Sequence, residues 1–171
     1  MKVFYGAAIQ GVRDRTERAG LNKYLIEAIK SAGYAVLGEH TTGRDRRETA
    51  RLLEEAIGPL PSPGIERTHY VRKRMIELVE SNINAAVFEV SVPSLGTGIE
   101  IAHAYTRPTR SLSEISILAL YQEDYWPGGL SSMVLGISEE EYPNFQLKNY
   151  SNPEEARSHI VQFLQNLRSA T

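Results

Sequence analysis

The sequence predicts an α/β fold in which a doubly wound parallel sheet of about five strands carries helices on both faces. Two observations lead to this prediction. Short apolar runs, typical of buried strands, recur along the chain, and amphipathic helical segments separate them. One of these runs, residues 83–90, shows no alternation of polar and apolar residues, which indicates a strand buried on both faces. We expect residues 1–171 to form a single domain.

Each element follows from its own pattern of apolar and turn residues. Strands are predicted where an apolar run ends at small or turn residues, at 2–8, 34–38, 83–90, 115–121 and 145–149. Helices are predicted where apolar residues recur at helical spacing, at 15–32, 44–57 and 67–82, from Ile99 onward, and from Pro153 onward. Gly33 marks the end of the first helix, and Asn152 caps the last one. Three prolines within 58–64 predict a lid or flap loop.

The composition limits the kinds of molecule that the protein is expected to bind. With 19 basic and 21 acidic residues the net charge is −2, which argues against non-specific binding of nucleic acid through overall charge. The chain has no cysteine, so disulfides and thiolate metal sites are excluded. No apolar run approaches the roughly 18 residues of a membrane span. These features predict a cytoplasmic protein that binds a small molecule and has neither a nucleic acid nor a membrane as its partner.

The loop after the third strand has the features of an anion site. Pro93 cannot continue a central strand, and Gly96 and Gly98 permit the backbone to approach a ligand closely. The apolar pattern that resumes at Ile99 indicates a helix start, so the loop would present the Ser94 hydroxyl and the N–H groups of both glycines at a helix N-terminus. Taken alone, Ser94 could equally be an ordinary capping residue.

Glu100 is the candidate reactive group in this segment. Placed in the first turn of the predicted helix, its carboxylate would be favoured as an anion by the helix dipole and held in a fixed direction by the backbone. A carboxylate of this kind can attack, or stabilise, the positive charge that develops at a sugar C1 when a glycosidic bond breaks. From charge and position alone, however, a first-turn glutamate is also a favourable helix cap.

The segment from Pro93 to Glu100, preceded by Glu89-Val90, resembles the signature of the nucleoside 2-deoxyribosyltransferase superfamily. It most closely resembles the branch of 2′-deoxynucleoside 5′-monophosphate N-glycosidases, and the similarity extends to residues 3–13, 36–40 and 130–136. The resemblance implies a flavodoxin-like (Rossmann-like) fold, with Glu100 as the nucleophile and Ser94 as a contact of the 5′-phosphate. It also implies a homodimer or higher homo-oligomer in which Ser131 reaches the phosphate in the neighbouring subunit. It implies neither a cofactor nor a metal.

The resemblance and the loop positions together define a set of expected substrate-binding residues: Phe4, Gly6, Ala8, Ile9, Gly11, Arg13, His40, Ser94, Gly96, Gly98, Ser131 and Met133. The first-loop residues could hold the sugar or the phosphate, although a glycine-rich turn after a first strand is weak evidence by itself. His40 lies either in the pocket or in a loop where it is hydrogen-bonded to its surroundings. Tyr125 and Trp126 could stack on a base or serve in packing.

This chain departs from the family pattern in ways that bear on its chemistry. Phe4 stands where the family has a tyrosine, and Ala8 where it has a small hydroxyl residue. Loss of both hydroxyls predicts a roomier sugar pocket and weaker discrimination against ribonucleotides. The family also carries an aspartate on the helix before the signature strand, associated with protonating or orienting the departing base. No carboxylate occupies the aligned position here, so Glu77, Glu66 or a residue of the lid would have to replace it.

The sequence therefore predicts an enzyme that hydrolyses the N-glycosidic bond of a ribo- or deoxyribonucleoside 5′-monophosphate to free base and sugar 5-phosphate. Two alternatives stay open. One is a transferase that moves deoxyribose between bases. The other is a nucleotide-binding homologue that has lost catalysis, which the missing aspartate and Ala8 would favour.

Overall fold

A computed structural model describes residues 1–9, 11–123 and 129–169 of the chain. Its centre is one sheet of five parallel strands in the order β2-β1-β3-β4-β5. The strands are β1 (Lys2–Ala7), β2 (Ala35–Leu37), β3 (Ala85–Glu89), β4 (Ser116–Gln122) and β5 (Phe145–Tyr150). This arrangement confirms the predicted α/β fold. Because the strand order reverses between β1 and β3, ligands are expected at the carboxyl ends of these two strands.

Helices cover both faces of the sheet. They are α1 (Arg15–Ser31), α2 (Arg46–Ile57), α3 (Ile65–Glu80), α4 (Leu95–Tyr105), α5 (Ser132–Leu135) and α6 (Pro153–Ser169). One apolar cluster joins α1 and α6 to the first face, and a second joins α3 and α4 to the opposite face. Side chains alternate along each strand, so Tyr5 enters the first cluster while Phe4 enters the second.

Helix α4 begins four residues earlier than the sequence predicts. The Ser94 side chain accepts a hydrogen bond from the N–H of Thr97 at 3.3 Å, which makes Ser94 the N-cap. Both Gly96 and Gly98 are therefore helical residues, and the predicted start at Ile99 is wrong. The prediction failed because the two glycines indicated a loop, whereas a serine three residues before the first bonded N–H supplies the helix start.

The proline-rich segment 58–64 is the turn of a helical hairpin. Side chains of α3 bind the end of α2 and the middle of this segment: Tyr70 donates to the carbonyl oxygen of Ile57 at 2.7 Å, and Arg67 donates to that of Pro61 at 2.6 Å. Arg74 adds a third hydrogen bond, to Ile57, at 3.3 Å. The segment predicted as a flap is thus attached to α3 and connects it to α2.

The path from β2 into the next segment depends on a glycine. Gly38 has φ of 110°, and a Cβ at this position would lie 2.0 Å from the carbonyl oxygen of Tyr5. Gly38→Ala should therefore lower the free energy of unfolding by about 3 kcal/mol or more. Gly20→Ala is the matched control: Gly20 lies inside α1, where a Cβ meets open space, so a gain of roughly 0.5–1 kcal/mol is expected. Urea unfolding of both variants checks this, and equal stabilities would contradict it.

Candidate functional site

Glu100 and Gly6 meet at the carboxyl end of β1, beside the point where the strand order reverses. A Cβ built on Gly6 would lie 3.0 Å from Oε2 of Glu100 and 2.6 Å from Cδ1 of Phe88. Phe88 is the cross-strand neighbour of Gly6, and its ring covers the glycine. The structure thus brings two predicted site residues together and adds an aromatic ring that the sequence reasoning missed.

The carboxyl group of Glu100 is in an unusual electrostatic setting. Burial raises its pKa to about 7, and no described residue forms a hydrogen bond or ion pair with it. Glu100 is also the sixth residue of α4, so it lies beyond the first turn in which the helix dipole is effective. The expectation of a first-turn glutamate stabilised as an anion is therefore wrong. Desolvation instead brings the pKa of this carboxyl group into the range found for catalytic acids and bases.

The N-terminus of α4 offers hydrogen-bond donors, but not all of those predicted. The N–H of Gly98 donates to the carbonyl oxygen of Ser94 at 3.0 Å and is therefore used within the helix. The N–H groups of Leu95 and Gly96 precede the first helical bond, and no described residue accepts from them. The donors available to an anion are these two groups together with the Ser94 hydroxyl, which can donate while it accepts from Thr97.

The two glycines of α4 have no structural reason to lack a side chain. Both are exposed, a Cβ on Gly98 would meet nothing within 4 Å, and one on Gly96 would come no closer than 3.8 Å to Ser94. Glycine within a helix costs about 1 kcal/mol relative to alanine. What these positions provide is an accessible backbone at the helix N-terminus, as an approaching ligand or partner molecule would need.

The first loop lies over the end of β1 with varied exposure. Ala8 is buried, Ile9 is half-buried, and Gly11 and Arg13 are exposed, with Gly11 at φ of 80°. Gln10, between them, lies outside the described residues. Ala8 and Ile9 directly follow β1, and within the described residues no hydrogen bond or ion pair joins Arg13 to Glu100.

Two other predicted site residues are buried. Phe4 has no exposed surface, and its ring packs against Phe88 with 5.8 Å between centroids, so its side chain belongs to the core below Gly6. His40 is 5% exposed, and its Nδ1 has no hydrogen-bond partner. Burial lowers the pKa of His40 to about 4, so the ring is neutral at pH 7. The expected hydrogen bond to its surroundings does not form at this nitrogen.

Ser131 and Met133 lie on the outer side of α4, across from Glu100. They line a groove of about 510 Å³ whose other wall is formed by α4, including Ser94. Most of its lining is apolar, and large apolar side chains around it are exposed: Leu95 (91%), Ile99 (46%), Met133 (82%) and Leu135 (53%). An exposed apolar surface of this kind is typical of a protein interface.

Substitutes for the missing aspartate are not evident. Glu77 pairs with Arg74 at 2.6 Å on the outer surface of α3, and Glu66 is exposed in the first turn of that helix.

Tyr125 and Trp126 lie outside the described residues. Within the described part of the chain no three metal-ligating side chains cluster. None of the helices described there is long and apolar enough to cross a membrane.

A buried polar cluster lies on the other face of the sheet, next to this site, and the sequence reasoning missed it. It contains Glu89, the last residue of β3, and Arg18 of α1, with 3.6 Å between Oε1 and Nη1. Both residues are at least 97% buried. One signal was available, because Glu89 is the one charged residue in the apolar run 83–90.

The raised pKa of Glu100 has a consequence for stability. Below its unfolded-state value near 4.5 the group is protonated in both states, whereas above 7 the folded protein must hold a poorly solvated anion. Glu100→Gln should therefore raise the free energy of unfolding by about 2 kcal/mol at pH 8 and leave it unchanged at pH 4.5. The exposed Glu77→Gln is the control and should change stability by less than about 0.5 kcal/mol at pH 8. Denaturation at both pH values checks this, and a loss of stability in Glu100→Gln at pH 8 would contradict it.

Comparison with known proteins identifies the family. No protein-family model matches the chain. A protein of Thermofilum pendens is 33% identical over 156 residues, which span 91% of this chain and 90% of that protein. A Nematostella vectensis protein is 31% identical over 150 residues (87% and 84%), and one from Methanosarcina mazei is 27% identical over 166 residues (96% and 84%). All three are provisionally named 2′-deoxynucleoside 5′-phosphate N-hydrolase 1. The chain therefore belongs to the 2′-deoxynucleoside 5′-phosphate N-hydrolase family.

Proposed function

We propose that this protein hydrolyses the N-glycosidic bond of a ribo- or deoxyribonucleoside 5′-monophosphate, giving free base and sugar 5-phosphate. The observation that carries the proposal is the place of the Glu100 carboxyl group, half-buried beside Gly6 at the point where the strand order reverses, where desolvation raises its pKa to about 7. Membership of an N-hydrolase family supports the reaction class. A chain without cysteine suits the reducing cytoplasm, which is the proposed location.

Glu100 would act as the nucleophile in two steps. In the first, one carboxylate oxygen attacks C1 of the sugar, the bond from C1 to the base nitrogen breaks, and its electron pair leaves with the base, which takes up a proton. In the second, water attacks C1, the ester bond to Glu100 breaks, and the water gives up a proton. Glu77 is paired with Arg74 and Glu66 is exposed, so in this scheme the proton that the base takes up comes from water.

The N-terminus of α4 would hold the 5′-phosphate. The Leu95 and Gly96 N–H groups and the Ser94 hydroxyl converge there, and the helix dipole favours an anion. Along the helix axis these groups precede Glu100 by about 6–9 Å. That spacing is on the scale of a sugar 5-phosphate, so one ligand can bind at both positions. Binding at the remote phosphate would orient C1 toward the carboxylate.

The activity can be tested with a panel of nucleotides and nucleosides. We expect free base from nucleoside 5′-monophosphates, with kcat/KM at least about 100-fold lower for the unphosphorylated nucleosides because they lack the remote contact. Glu100→Ala should abolish turnover while nucleotide binding persists, whereas Glu77→Ala should keep full activity. Undiminished turnover in Glu100→Ala would overturn the assignment. Equal rates for nucleosides and monophosphates would favour a transferase, which adding a second free base as acceptor would reveal.

The preference for the sugar is a separate prediction. Ala8, in the loop after β1, carries no hydroxyl group where the family pattern has one, so this side of the site offers fewer polar contacts around C2. We expect the ratio of kcat/KM for deoxyribo- over ribonucleotide to be below about 10, and to rise in Ala8→Ser. The ratio is measured with one base on both sugars. A preference for deoxyribose of several hundredfold in the unmutated protein would contradict this prediction.

We also propose that the protein acts as a homodimer through the groove beside α4. The patch combines an apolar groove with protruding apolar side chains, namely Leu95 and Met133, on the same surface. A patch that carries both a cavity and the groups to fill one can pair with its own copy about a two-fold axis. In such a pair, the exposed Ser131 of one subunit would face the Ser94 end of the other.

A mixing experiment tests whether Ser131 acts across the interface. Ser131→Ala should lower activity about 10-fold or more through weaker phosphate binding, and Glu100→Ala should be inactive. When the Ser131→Ala and Glu100→Ala proteins are unfolded together and refolded, some dimers contain one subunit of each variant. If Ser131 serves the neighbouring subunit, each of these mixed dimers has one site in which both residues are intact. Activity should then rise well above the average of the two separate variants. Activity equal to that average would show that Ser131 serves its own subunit or no site.

A further inference from the structure

Five buried polar side chains form a cluster on the α1 face of the sheet, near the carboxyl ends of its strands. They come from α1 and from the ends of β1, β3 and β5: Tyr5, Arg18, Asn22, Glu89 and Tyr150. None is more than 3% exposed. Burial raises the pKa of Tyr5 and of Tyr150, so both phenols stay protonated and act as donors. The cluster therefore has one carboxyl group, that of Glu89, surrounded by hydrogen-bond donors.

One oxygen of Glu89 gathers most of the contacts. Its Oε1 accepts from the hydroxyl of Tyr150 at 2.8 Å and lies 3.6 Å from Nη1 of Arg18. The same oxygen accepts from both the N–H of Ser91, at 3.3 Å, and the hydroxyl of Ser91. Glu89 is thus joined by two hydrogen bonds to Ser91, two positions further along the chain.

Ser91 is the residue at which the chain leaves the sheet. The ladder between β3 and β4 continues as far as Val90, whose N–H donates to Leu120 at 2.8 Å. The next donor on that side, the N–H of Gln122, binds the hydroxyl oxygen of Ser91 at 2.7 Å. The Ser91 side chain therefore completes the ladder and is held from two sides, by β4 and by Glu89.

The exit point is close to the catalytic helix. Only Val92 and Pro93 separate Ser91 from Ser94, the N-cap of α4, and Val92 is 5% exposed. The ring of Pro93 fixes its φ, so this connection has little freedom. A shift of Ser91 would move the start of α4 and with it the carboxyl group that the helix holds over Gly6.

A buried ion pair is a poor device for stability alone, because desolvating both charges offsets most of their attraction, and apolar residues of similar volume often serve as well. We infer that Glu89 is a positioning residue of the proposed N-glycosidase reaction: through Ser91 it fixes where β3 leaves the sheet, and therefore where α4 holds Glu100. The inference rests on the proposed function for its kinetic consequence. Its geometric consequence, a fixed place for the Glu100 carboxyl group, is independent of that function.

The test distinguishes two effects of the cluster: the hydrogen bond from the Ser91 hydroxyl to Glu89, which positions the loop, and the contribution of the cluster to the free energy of unfolding. Ser91→Ala removes the hydroxyl that joins Glu89 to the exit of β3, and Ser91→Thr keeps it. Tyr5→Phe removes a buried hydrogen bond of the same cluster, from the Tyr5 hydroxyl to Oδ1 of Asn22 at 2.9 Å, that involves neither Glu89 nor Ser91, so it is the matched control for stability. Each variant is measured for unfolding, for kcat and KM on the best nucleotide, and for the titration of Glu100 by ¹³C NMR of its side-chain carboxyl carbon.

We expect Ser91→Ala to lower kcat about 10-fold or more with KM changed less than about 3-fold, because the phosphate contacts persist while the nucleophile is displaced. Ser91→Thr and Tyr5→Phe should keep kcat within about 3-fold. In Ser91→Ala the Glu100 titration should also move down by about one unit as water reaches the carboxyl group. Unchanged kcat and titration in Ser91→Ala, or an equal loss of kcat in Tyr5→Phe, would overturn the inference. If the unmutated protein cleaves no nucleotide, the proposed function fails and the titration alone decides the inference.

Discussion

The site depends on the close approach of α4 to the sheet at Gly6. The missing side chain at this position leaves space that the ring of Phe88 and the carboxyl group of Glu100 share. The approach shields the carboxyl group from much of the water, and this desolvation raises its pKa. One packing contact thus sets both the place of the proposed nucleophile and the shift of its pKa.

The same helix brings together two different kinds of site. At its start, Ser94 and the free N–H groups of Leu95 and Gly96 form a polar, accessible end suited to an anion. Further along, the Glu100 carboxyl group lies beside Gly6 and the ring of Phe88, where we propose that it attacks the sugar. A rigid helix keeps the spacing between these two ends constant, which a loop could not do.

The local patterns of the sequence were sufficient for the fold and insufficient for the electrostatics. The apolar runs and the helical spacing predicted all five strands and the way in which they alternate with helices. Each of these patterns lies within a short stretch of the sequence, so it can be recognised without the fold. The start of α4 was missed because the two glycines indicated a loop while Ser94 caps a helix. The pKa of Glu100 could not be predicted, since it depends on Gly6 and Phe88, two residues on separate strands whose proximity only the sheet register creates. For the same reason the partners of Glu89 were not foreseen, although a lone charge in an apolar run was visible.

The central claim is that Glu100 forms a covalent bond to the sugar. The most direct measurement is mass spectrometry of the protein after a rapid acid quench during turnover of a nucleoside 5′-monophosphate, followed by peptide mapping. The account predicts a mass increase of one sugar 5-phosphate, confined to the peptide that contains Glu100 and absent in Glu100→Gln. An adduct on a different residue, or a sugar product of inverted configuration at C1 as direct attack by water would give, would contradict it.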